Sequence, residues 1–344
     1  MSVLDANSNF NYRWTFKDYP KNQHNLKVFS TFACGGGSTM GYKLAGYDVI
    51  GSNDIDPQLA EVYKVNHHPK YQYICPIKDL ATIDLPKELF DLDILDGSPP
   101  CSTFSTAGLR EKAWGKDKHF REGQTTQILD DLFFDFLDVA ELLQPKVIVA
   151  ENVSGMLKGN AKGYLLLIFD RLKTMGYTPQ IFLLDASTMG VPQRRQRVFI
   201  IANRMNYPKL TMNFNLKPIP TKEIIDNKDN TEWHNTNSTT YQLWQKTRPG
   251  ESFAKHHPKG HFFGSQKIHR DRVSNTVVAD HGSPLYHDKI FRTLNSKEYS
   301  LIGSFPLDYN YMNIKPKYLI GMSVPPVMMA QVANQIYLQW LGAQ

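Results

Sequence analysis

Cysteine is scarce in this chain, and no two cysteines stand close together. The 344 residues contain only three, Cys34, Cys75 and Cys101. An odd number without a Cys-x-x-Cys pair argues against a disulfide framework and against a tetrahedral zinc site. We therefore expect neither a structural disulfide nor a bound metal.

Long apolar runs are also missing. No eighteen consecutive apolar residues occur, which predicts that the chain has no transmembrane helix. Residues 1–27 are polar and aromatic and lack the apolar centre of a signal peptide, so a cytoplasmic protein is the expectation. The net charge of +6 is a mild excess, which permits a polyanionic partner without requiring one.

Short apolar runs alternate with helical patterns over the first two hundred residues. This alternation predicts an α/β fold, in which a mostly parallel sheet carries helices on both faces. The predicted strands are Lys27–Phe32, Asp48–Asp54, Tyr71–Ile74, Leu92–Leu95 and Lys146–Ala150, and the predicted helices include Pro57–Val65 and Gln127–Leu143.

The last two strands of this region depart from the alternation. Ile181–Leu184 and Val198–Ala202 are separated only by Asp185–Arg197, which is too short for a crossover helix. Short connections join antiparallel strands, so we expect an antiparallel hairpin at the sheet edge. Residues 203–275 are polar and weakly periodic, which predicts a second, loop-rich domain. A helix is predicted again at Val327–Leu341.

A glycine-rich turn follows the first predicted strand. The segment Thr31–Gly41 (TFACGGGSTMG) leaves that strand and enters a helix, and its glycines allow a ligand to approach the backbone amides closely. Asp54 comes about twenty residues later, where a carboxylate can bind both hydroxyls of a ribose. Together these features favour a nucleoside cofactor, and they leave a nicotinamide dinucleotide and S-adenosylmethionine both open.

The segment Asp96–Ser105 (DGSPPCSTFS) follows the fourth predicted strand. Ligand chemistry in an open parallel sheet occurs beyond the carboxyl ends of the strands, so we expect Cys101 near a ligand bound after the first strand. Pro99 and Pro100 restrict the backbone before the thiol. Most single cysteines are small buried hydrophobic residues. The position after a strand, and before a polar segment at Ser102–Gly123 that suits a lid, favours a nucleophile instead.

The order of motifs along the chain resembles that of the bacterial DNA (cytosine-5) methyltransferase family, which includes restriction–modification and phage enzymes. The glycine turn is similar to the family's cofactor motif, and GSPPCSTFS is similar to its Pro-Cys catalytic motif. Four further segments match family motifs in the same order: Glu151-Asn152-Val153, Gln193–Arg197 (Gln-x-Arg-x-Arg), Arg292–Tyr309 and Gly321–Pro326. The resemblance covers nearly the whole chain beyond residue 26.

This resemblance implies a Rossmann-like, adenosylmethionine-dependent methyltransferase fold and a small, loop-rich target recognition domain. The implied organisation is an N-terminal extension (1–26), a catalytic and cofactor-binding domain (27–202), the target recognition domain (203–290), and a motif-bearing hinge with a C-terminal helix that returns to the catalytic domain (291–344).

The activity implied by the resemblance is methyl transfer from S-adenosyl-L-methionine to carbon 5 of a cytosine that is flipped out of a specific double-stranded DNA sequence. S-adenosyl-L-homocysteine is the second product. We expect a monomer, whose cognate restriction endonuclease, if present, needs no stable complex with it.

The chemistry explains the residue types in these motifs. Carbon 5 of cytosine becomes nucleophilic after a thiolate adds at carbon 6, and Cys101 would supply that thiolate. Glu151 would hydrogen-bond the ring nitrogen and the exocyclic amine. Arg195 and Arg197 would hold the base carbonyl, a neighbouring phosphate or Glu151.

The resemblance also implies a residue set for each role. The expected catalytic residues are Cys101, Glu151, Arg195 and Arg197. The expected cofactor-binding residues are Phe32, Gly35, Gly36, Gly37, Asp54, Ile55, Ile77, Pro99, Met322, Ser323 and Val324. The expected nucleic-acid-binding residues are Ser105, Lys112, Arg121, Asn152, Lys246 and Arg248.

Three positions depart from the family pattern, and all three concern the cofactor. Cys34 stands where the first glycine is usual, Pro76 where an aspartate is usual, and Met322 where an asparagine is usual. Two other functions stay open on the same scaffold, a tRNA cytosine-5 methyltransferase and a catalytically inactive DNA-binding relative. A zinc-dependent cytosine deaminase also has a Pro-Cys signature, but it requires Cys-x-x-Cys and His-x-Glu, which this sequence lacks.

Overall fold

The structure is a computed structural model of the chain. It describes residues 10–21, 24–100, 132–158, 161–226, 237–262, 264–279 and 282–342, and the backbone of residues 117–118 and 127–128.

Seven strands form one central sheet. They are β1 (Lys27–Thr31), β2 (Asp48–Asp54), β3 (Tyr71–Ile74), β4 (Ile94–Gly97), β7 (Val147–Val153), β8 (Thr178–Asp185) and β9 (Gln196–Asn203). Their order across the sheet is β3-β2-β1-β4-β7-β9-β8. The first five pair in parallel, and β9 runs antiparallel to β7.

Two short strand pairs lie outside this sheet. β5 (Asp117–Lys118) pairs antiparallel with β6 (Gln127–Ile128), and β10 (Gln266–Lys267) pairs in parallel with β11 (Leu285–Tyr286).

The α-helices begin where capping residues or glycine allow. Asp56 accepts hydrogen bonds from the amides of Gln58 and Leu59, and Pro57 occupies the first helical position, so the second helix starts at Pro57. The helices are α1 (Gly37–Leu44), α2 (Pro57–His67), α3 (Leu132–Leu143), α4 (Ala161–Thr174), α5 (Thr239–Lys246), α6 (Ser296–Ile302), α7 (Pro316–Met322) and α8 (Pro326–Ile336).

The core of the sheet is apolar on both faces. The first four residues of β7 are at most 2% exposed, and Val198–Ala202 in β9 are buried without interruption. Such continuous burial is typical of central strands covered by helices. Phe136 and Ala140 of α3 belong to the same hydrophobic cluster as Ile148 and Ile200, so this helix covers one face of the sheet.

Most elements expected from the sequence are confirmed. β2 and β3 have the predicted bounds, and β8 and β9 are neighbours at the sheet edge. The helix predicted over Gln127–Leu143 begins later, at Leu132, because Gln127–Ile128 pairs as a strand with Asp117–Lys118. The terminal helix α8 continues into a π-helical turn at Tyr337–Leu341.

The chain divides into two compact units. One contains Pro20–Leu184, Gln196–Asn213 and Val332–Gln344, as far as these are described. The other contains the described parts of Met1–Tyr19 and Phe214–Gln331 together with Asp185–Arg195. These units differ from the predicted domain boundaries, because residues 185–195 and 291–331 group with the polar insertion. Arg194 N donates to Ser274 O within this second unit, for example.

Candidate active site

The strand order reverses beside β1, and this position gathers the motifs. β1 and β4 are parallel neighbours, with Thr31 opposite Gly97. The glycine turn leaves the carboxyl end of β1, and the Pro-Cys segment leaves the carboxyl end of β4. Ligands of doubly wound sheets bind at such a reversal. The fold therefore places the two predicted motifs at one end of adjacent strands.

Left-handed backbone geometry shapes the glycine turn. Phe32, Cys34 and Gly36 have φ angles of +52°, +48° and +81°. Cys34, which replaces the usual glycine, therefore adopts a conformation that glycine favours, at a cost of about 1 kcal/mol or more. Its amide donates to Oδ2 of Asp54 over 2.7 Å. That hydrogen bond ties the turn after β1 to the end of β2.

His67 supports the turn from behind, a contact that the sequence did not reveal. Its Nε2 lies 3.1 Å from the carbonyl oxygen of Gly35, and a Cβ atom on Gly36 would lie 2.1 Å from the same nitrogen. Burial, together with the charge of nearby Lys43, lowers the pKa of His67 to about 3. The neutral ring therefore donates from Nε2 to Gly35. Gly36 is the sequence feature that could have indicated this contact, because a glycine leaves space for a side chain from a neighbouring helix.

The Asp54 carboxylate is held by the backbone at the end of β2. Oδ1 accepts from the amide of Asp56 over 2.9 Å, and Oδ2 accepts from Cys34. Burial raises the pKa of Asp54 to about 6, although these amide donors lower it. An ionised carboxylate has about four acceptor positions, more than these amides occupy, so Asp54 can also accept from hydroxyl groups. Ile55, beside it, is half-buried, and Ile77, after β3, is fully buried.

Glu151 and Arg197 form a buried ion pair across β7 and β9. Arg197 Nε lies 2.8 Å from Glu151 Oε1, and the two side chains are 15% and 10% exposed. Burial lowers the pKa of Arg197, and the charge and hydrogen bond of Glu151 oppose that shift. The sequence predicted this pair among other arrangements, and the antiparallel register that places Val153 opposite Arg197 produces it.

Asn152 ties the Glu-Asn-Val motif to the Pro-Cys segment. Its Nδ2 donates to the carbonyl oxygen of Pro99 over 3.1 Å, and its Oδ1 accepts from the amide of Val153. Asn152 is only 5% exposed. In this structure the side chain holds Pro99, and the expected contact of Asn152 with nucleic acid stays a prediction.

Arg195 and the closing motif belong to the other compact unit. Arg195 is 2% exposed, and its Nη1 and Nη2 donate to the carbonyl oxygens of Val277 and Gly321. These contacts hold the backbone of that unit. Met322 is half-buried at the end of α7, and Ser323 Oγ donates to Leu319 O. Val324 is buried.

Several expected residues have simple outcomes. Phe32 is half-buried, Gly35, Gly36, Gly37 and Pro99 are buried, and Lys246 and Arg248 are exposed. Cys101, Ser105, Lys112 and Arg121, with the lid predicted at Ser102–Gly123, lie outside the residues whose side chains the structure describes. Within the described ranges, no cluster of three or more His, Cys, Asp or Glu side chains could hold a metal ion. None of the helices described is both long and apolar enough to span a membrane.

Two relatives of the chain are named as type II methyltransferases. Type II methyltransferase M.NgoPII of Neisseria gonorrhoeae is 26% identical, over 92% of this chain and 97% of its own length. Type II methyltransferase M.NgoFVII of the same organism is 28% identical, over 90% of this chain and 86% of its own.

Solved structures share the fold. A crystal structure of Spodoptera frugiperda DNMT2, a triple mutant, has a TM-score of 0.64 at 19% identity and covers 91% of this chain and 100% of its own. Dnmt2 methyltransferase of S. pombe has a TM-score of 0.60 at 18% identity, over 93% and 99% of the two chains. Both confirm the Rossmann-like methyltransferase architecture.

The match to a protein family extends almost from end to end. The sequence model described as C-5 cytosine-specific DNA methylase matches residues 26–338. That span includes the glycine turn, the Pro-Cys segment, the Glu151–Arg197 pair and the closing motif. The chain belongs to the C-5 cytosine-specific DNA methylase family.

Proposed function

We propose that this protein transfers a methyl group from S-adenosyl-L-methionine to carbon 5 of a flipped-out cytosine in a specific double-stranded DNA sequence. The observation that carries the proposal is the buried Glu151–Arg197 pair, which Asn152 links to Pro99 in the segment that leads to Cys101. Glu151 is held by a cationic partner and is linked to the segment that carries the Cys101 thiol. Such an arrangement suits activation of a cytosine ring.

The residues around the glycine turn fit the cofactor. α1 begins at Gly37 without a side-chain cap, so its first amides suit the carboxylate of a methionine moiety. The free acceptor positions of Asp54 suit the ribose hydroxyls, and the apolar Ile55 and Ile77 suit the adenine ring. When bound, S-adenosylmethionine supplies an electrophilic methyl group.

Cys101 acts as the nucleophile in this proposal. Its thiolate would add to carbon 6 of cytosine, and ring nitrogen 3 would take a proton that the Glu151 carboxylate relays from solvent. Thiolate addition would make carbon 5 nucleophilic, so that it could take the methyl group of a cofactor held by the glycine turn and Asp54, with S-adenosylhomocysteine as the leaving group. Loss of the proton from carbon 5 to a base restores the ring double bond and expels the thiolate, and nitrogen 3 returns its proton. Arg197 keeps Glu151 oriented towards the ring through both steps.

DNA contacts are proposed on the polar insertion and on the predicted lid. Lys246 and Arg248 are exposed cations of the insertion, and Ser105, Lys112 and Arg121 of the lid would contact the DNA backbone around the flipped base. The protein would act as a monomer on DNA in the cytoplasm, as the methylating partner of a restriction–modification pair.

Sequencing of DNA from cells that express the protein tests this function. Bisulfite or direct detection should find 5-methylcytosine in one short sequence context, and Cys101→Ser should abolish it while the protein stays folded. Methylated adenine, methylation confined to tRNA, or methylation by the Cys101→Ser variant would contradict the proposal.

A further inference from the structure

Asp96 is a buried carboxylate for which the proposed methyl transfer has no use. It is 1% exposed and lies in β4, three residues before Pro99. Its partners are hydroxyl groups: Ser30 Oγ donates to Oδ2 over 2.8 Å, and Tyr42 OH donates to Oδ1 over 3.3 Å. The nearby hydroxyl of Ser38 also favours the charged form of Asp96 and lowers its pKa. Within the described part of the chain, no cation pairs with Asp96, so hydroxyl donors alone stabilise its charge.

These donors come from the elements that flank the cofactor turn. Ser30 lies directly opposite Asp96 in the pairing of β1 with β4. Ser38 and Tyr42 are four residues apart in α1 and therefore lie on one face of that helix. Because α1 starts at Gly37, immediately after the turn, the hydrogen bond from Tyr42 to Asp96 holds this short helix against the sheet.

The backbone at Asp96 is held equally tightly. Thr31 Oγ1 donates to the carbonyl oxygen of Asp96 over 2.9 Å. A Cβ atom on Gly97 would lie 2.6 Å from Phe136 and 2.7 Å from Thr31 Oγ1, so no larger residue fits. The chain therefore leaves β4 in one direction, towards Pro99.

We propose that Asp96 is a positioning residue, which fixes the start of α1 to the strand that leads into Cys101 and so fixes the cofactor site relative to the Pro-Cys segment. This inference rests on the proposed function. Group transfer depends steeply on such geometry, because a misplacement of about 1 Å can cost about 100-fold in rate. Hydrogen bonds from Ser30 of β1 and Tyr42 of α1 to one carboxylate supply that rigidity.

The charge on Asp96 is sensitive to its surroundings. Burial raises the pKa of Asp96 to about 7, the Ser30, Tyr42 and Ser38 hydroxyls oppose this shift, and the Glu151 carboxylate adds to it. The charge of Asp96 also contributes to the raised pKa of Tyr63 in α2. An ionised carboxylate accepts hydrogen bonds from both hydroxyl donors, whereas a protonated one gives up an acceptor position. Asparagine likewise keeps the shape of Asp96 and loses part of its accepting capacity.

Asp93 offers a matched control immediately before the same strand. It is buried like Asp96, but Lys146 Nζ lies 2.8 Å from its Oδ1, and the amide of Lys27 donates to its Oδ2. These contacts lie at the amino end of β4, opposite to the end from which the Pro-Cys segment leaves. Loss of the Asp93 charge should therefore reduce stability and leave the geometry of α1 intact.

The experiment compares the full-length wild type with Asp96→Asn, Tyr42→Phe and Asp93→Asn. It measures the dissociation constant for S-adenosylhomocysteine by calorimetry, KM for S-adenosylmethionine, kcat on duplex DNA and Tm. We expect Asp96→Asn to raise the dissociation constant and KM by about tenfold and to lower kcat by about tenfold or more. Tyr42→Phe should raise both constants by about threefold. Asp93→Asn should lower Tm, with KM and the dissociation constant within about twofold of wild type.

The possible results separate the inference from the function on which it rests. If Asp96 had a purely structural role, Asp96→Asn would lower Tm and the folded fraction but would not change KM. Wild-type values of KM and of the dissociation constant in Asp96→Asn and Tyr42→Phe would overturn this inference and leave the proposed function standing. Equal changes of KM in the Asp93 and Asp96 variants would overturn it too. A wild-type protein that binds no S-adenosylhomocysteine would overturn the cofactor proposal, and this inference with it.

Discussion

Glu151 and Arg197 meet across two neighbouring antiparallel strands, with 2.8 Å between Oε1 and Nε. The sequence predicted β7 as one of the parallel strands and β9 as part of an antiparallel hairpin at the sheet edge. The antiparallel insertion of β9 next to β7 places the last motif arginine beside the motif acid. The sheet topology therefore builds the site that a base would contact.

Removal of Arg197 should damage both catalysis and the local structure. Arg197→Ala leaves the buried Glu151 without its cation, and such a loss costs about 3–5 kcal/mol. We expect kcat on duplex DNA to fall by about 100-fold and urea unfolding to shift to lower concentration. Arg171→Ala, which removes an exposed partner of Asp138 and Glu141, is the control and should keep wild-type kcat. Equal activity of the Arg197→Ala protein would contradict the assigned role.

Asp54 should make cofactor binding dependent on pH. Its pKa is raised by burial to about 6, and the ionised form is the better acceptor of ribose hydroxyls. Protonation below pH 6 therefore competes with binding. The affinity for S-adenosylhomocysteine at pH 5 should be about tenfold weaker than at pH 7.5. Asp54→Asn should bind weakly at both values and lose the change centred near pH 6. If Asp54→Asn keeps the change in affinity near pH 6, that change comes from another titratable group.

Cys34 is a candidate for stabilisation. Its φ of +48° is one that glycine adopts at little cost, so Cys34→Gly should relieve backbone strain. We expect the free energy of unfolding to rise by up to about 1 kcal/mol, measured by urea denaturation, with affinity for S-adenosylhomocysteine unchanged or higher. Cys34→Ala retains the strain and serves as the control. A glycine variant less stable than the alanine variant would show that the thiol itself contributes packing that outweighs the strain.

Sequence patterns predicted what depends on local chemistry and chain order. The sheet strands and the glycine turn with Asp54 follow from periodicity and spacing, and Glu151 follows from the family resemblance. The contacts that hold these residues in place could not be predicted, because they join elements that are distant in the sequence. His67 reaches the turn through the packing of α2, and Asp96 reaches α1 through the alignment of β1 with β4. The hydrogen bond from Asn152 to Pro99 is a further contact of this kind, because it joins β7 to the segment after β4.

Gly36 should tolerate no side chain, for two separable reasons. Its φ is +81°, and a Cβ atom there would lie 2.1 Å from Nε2 of His67, which is buried. Gly176 has a similar φ of +85° with no atom within 4 Å of such a Cβ, so Gly176→Ala measures the backbone cost alone, about 1 kcal/mol. Gly36→Ala should cost about 3 kcal/mol or more, because the ring clash adds to the backbone term, and should weaken S-adenosylhomocysteine binding.

A double-mutant cycle with His67→Ala isolates the clash at Gly36. Removal of the ring gives the new methyl group space, so the loss in the double variant should be smaller than the sum of the single losses by about 1 kcal/mol or more. Urea unfolding supplies the free energies, and calorimetry with S-adenosylhomocysteine shows whether the turn has recovered its shape. Strictly additive losses would mean that the glycine is required for its backbone conformation alone, and that His67 does not limit the space behind the turn.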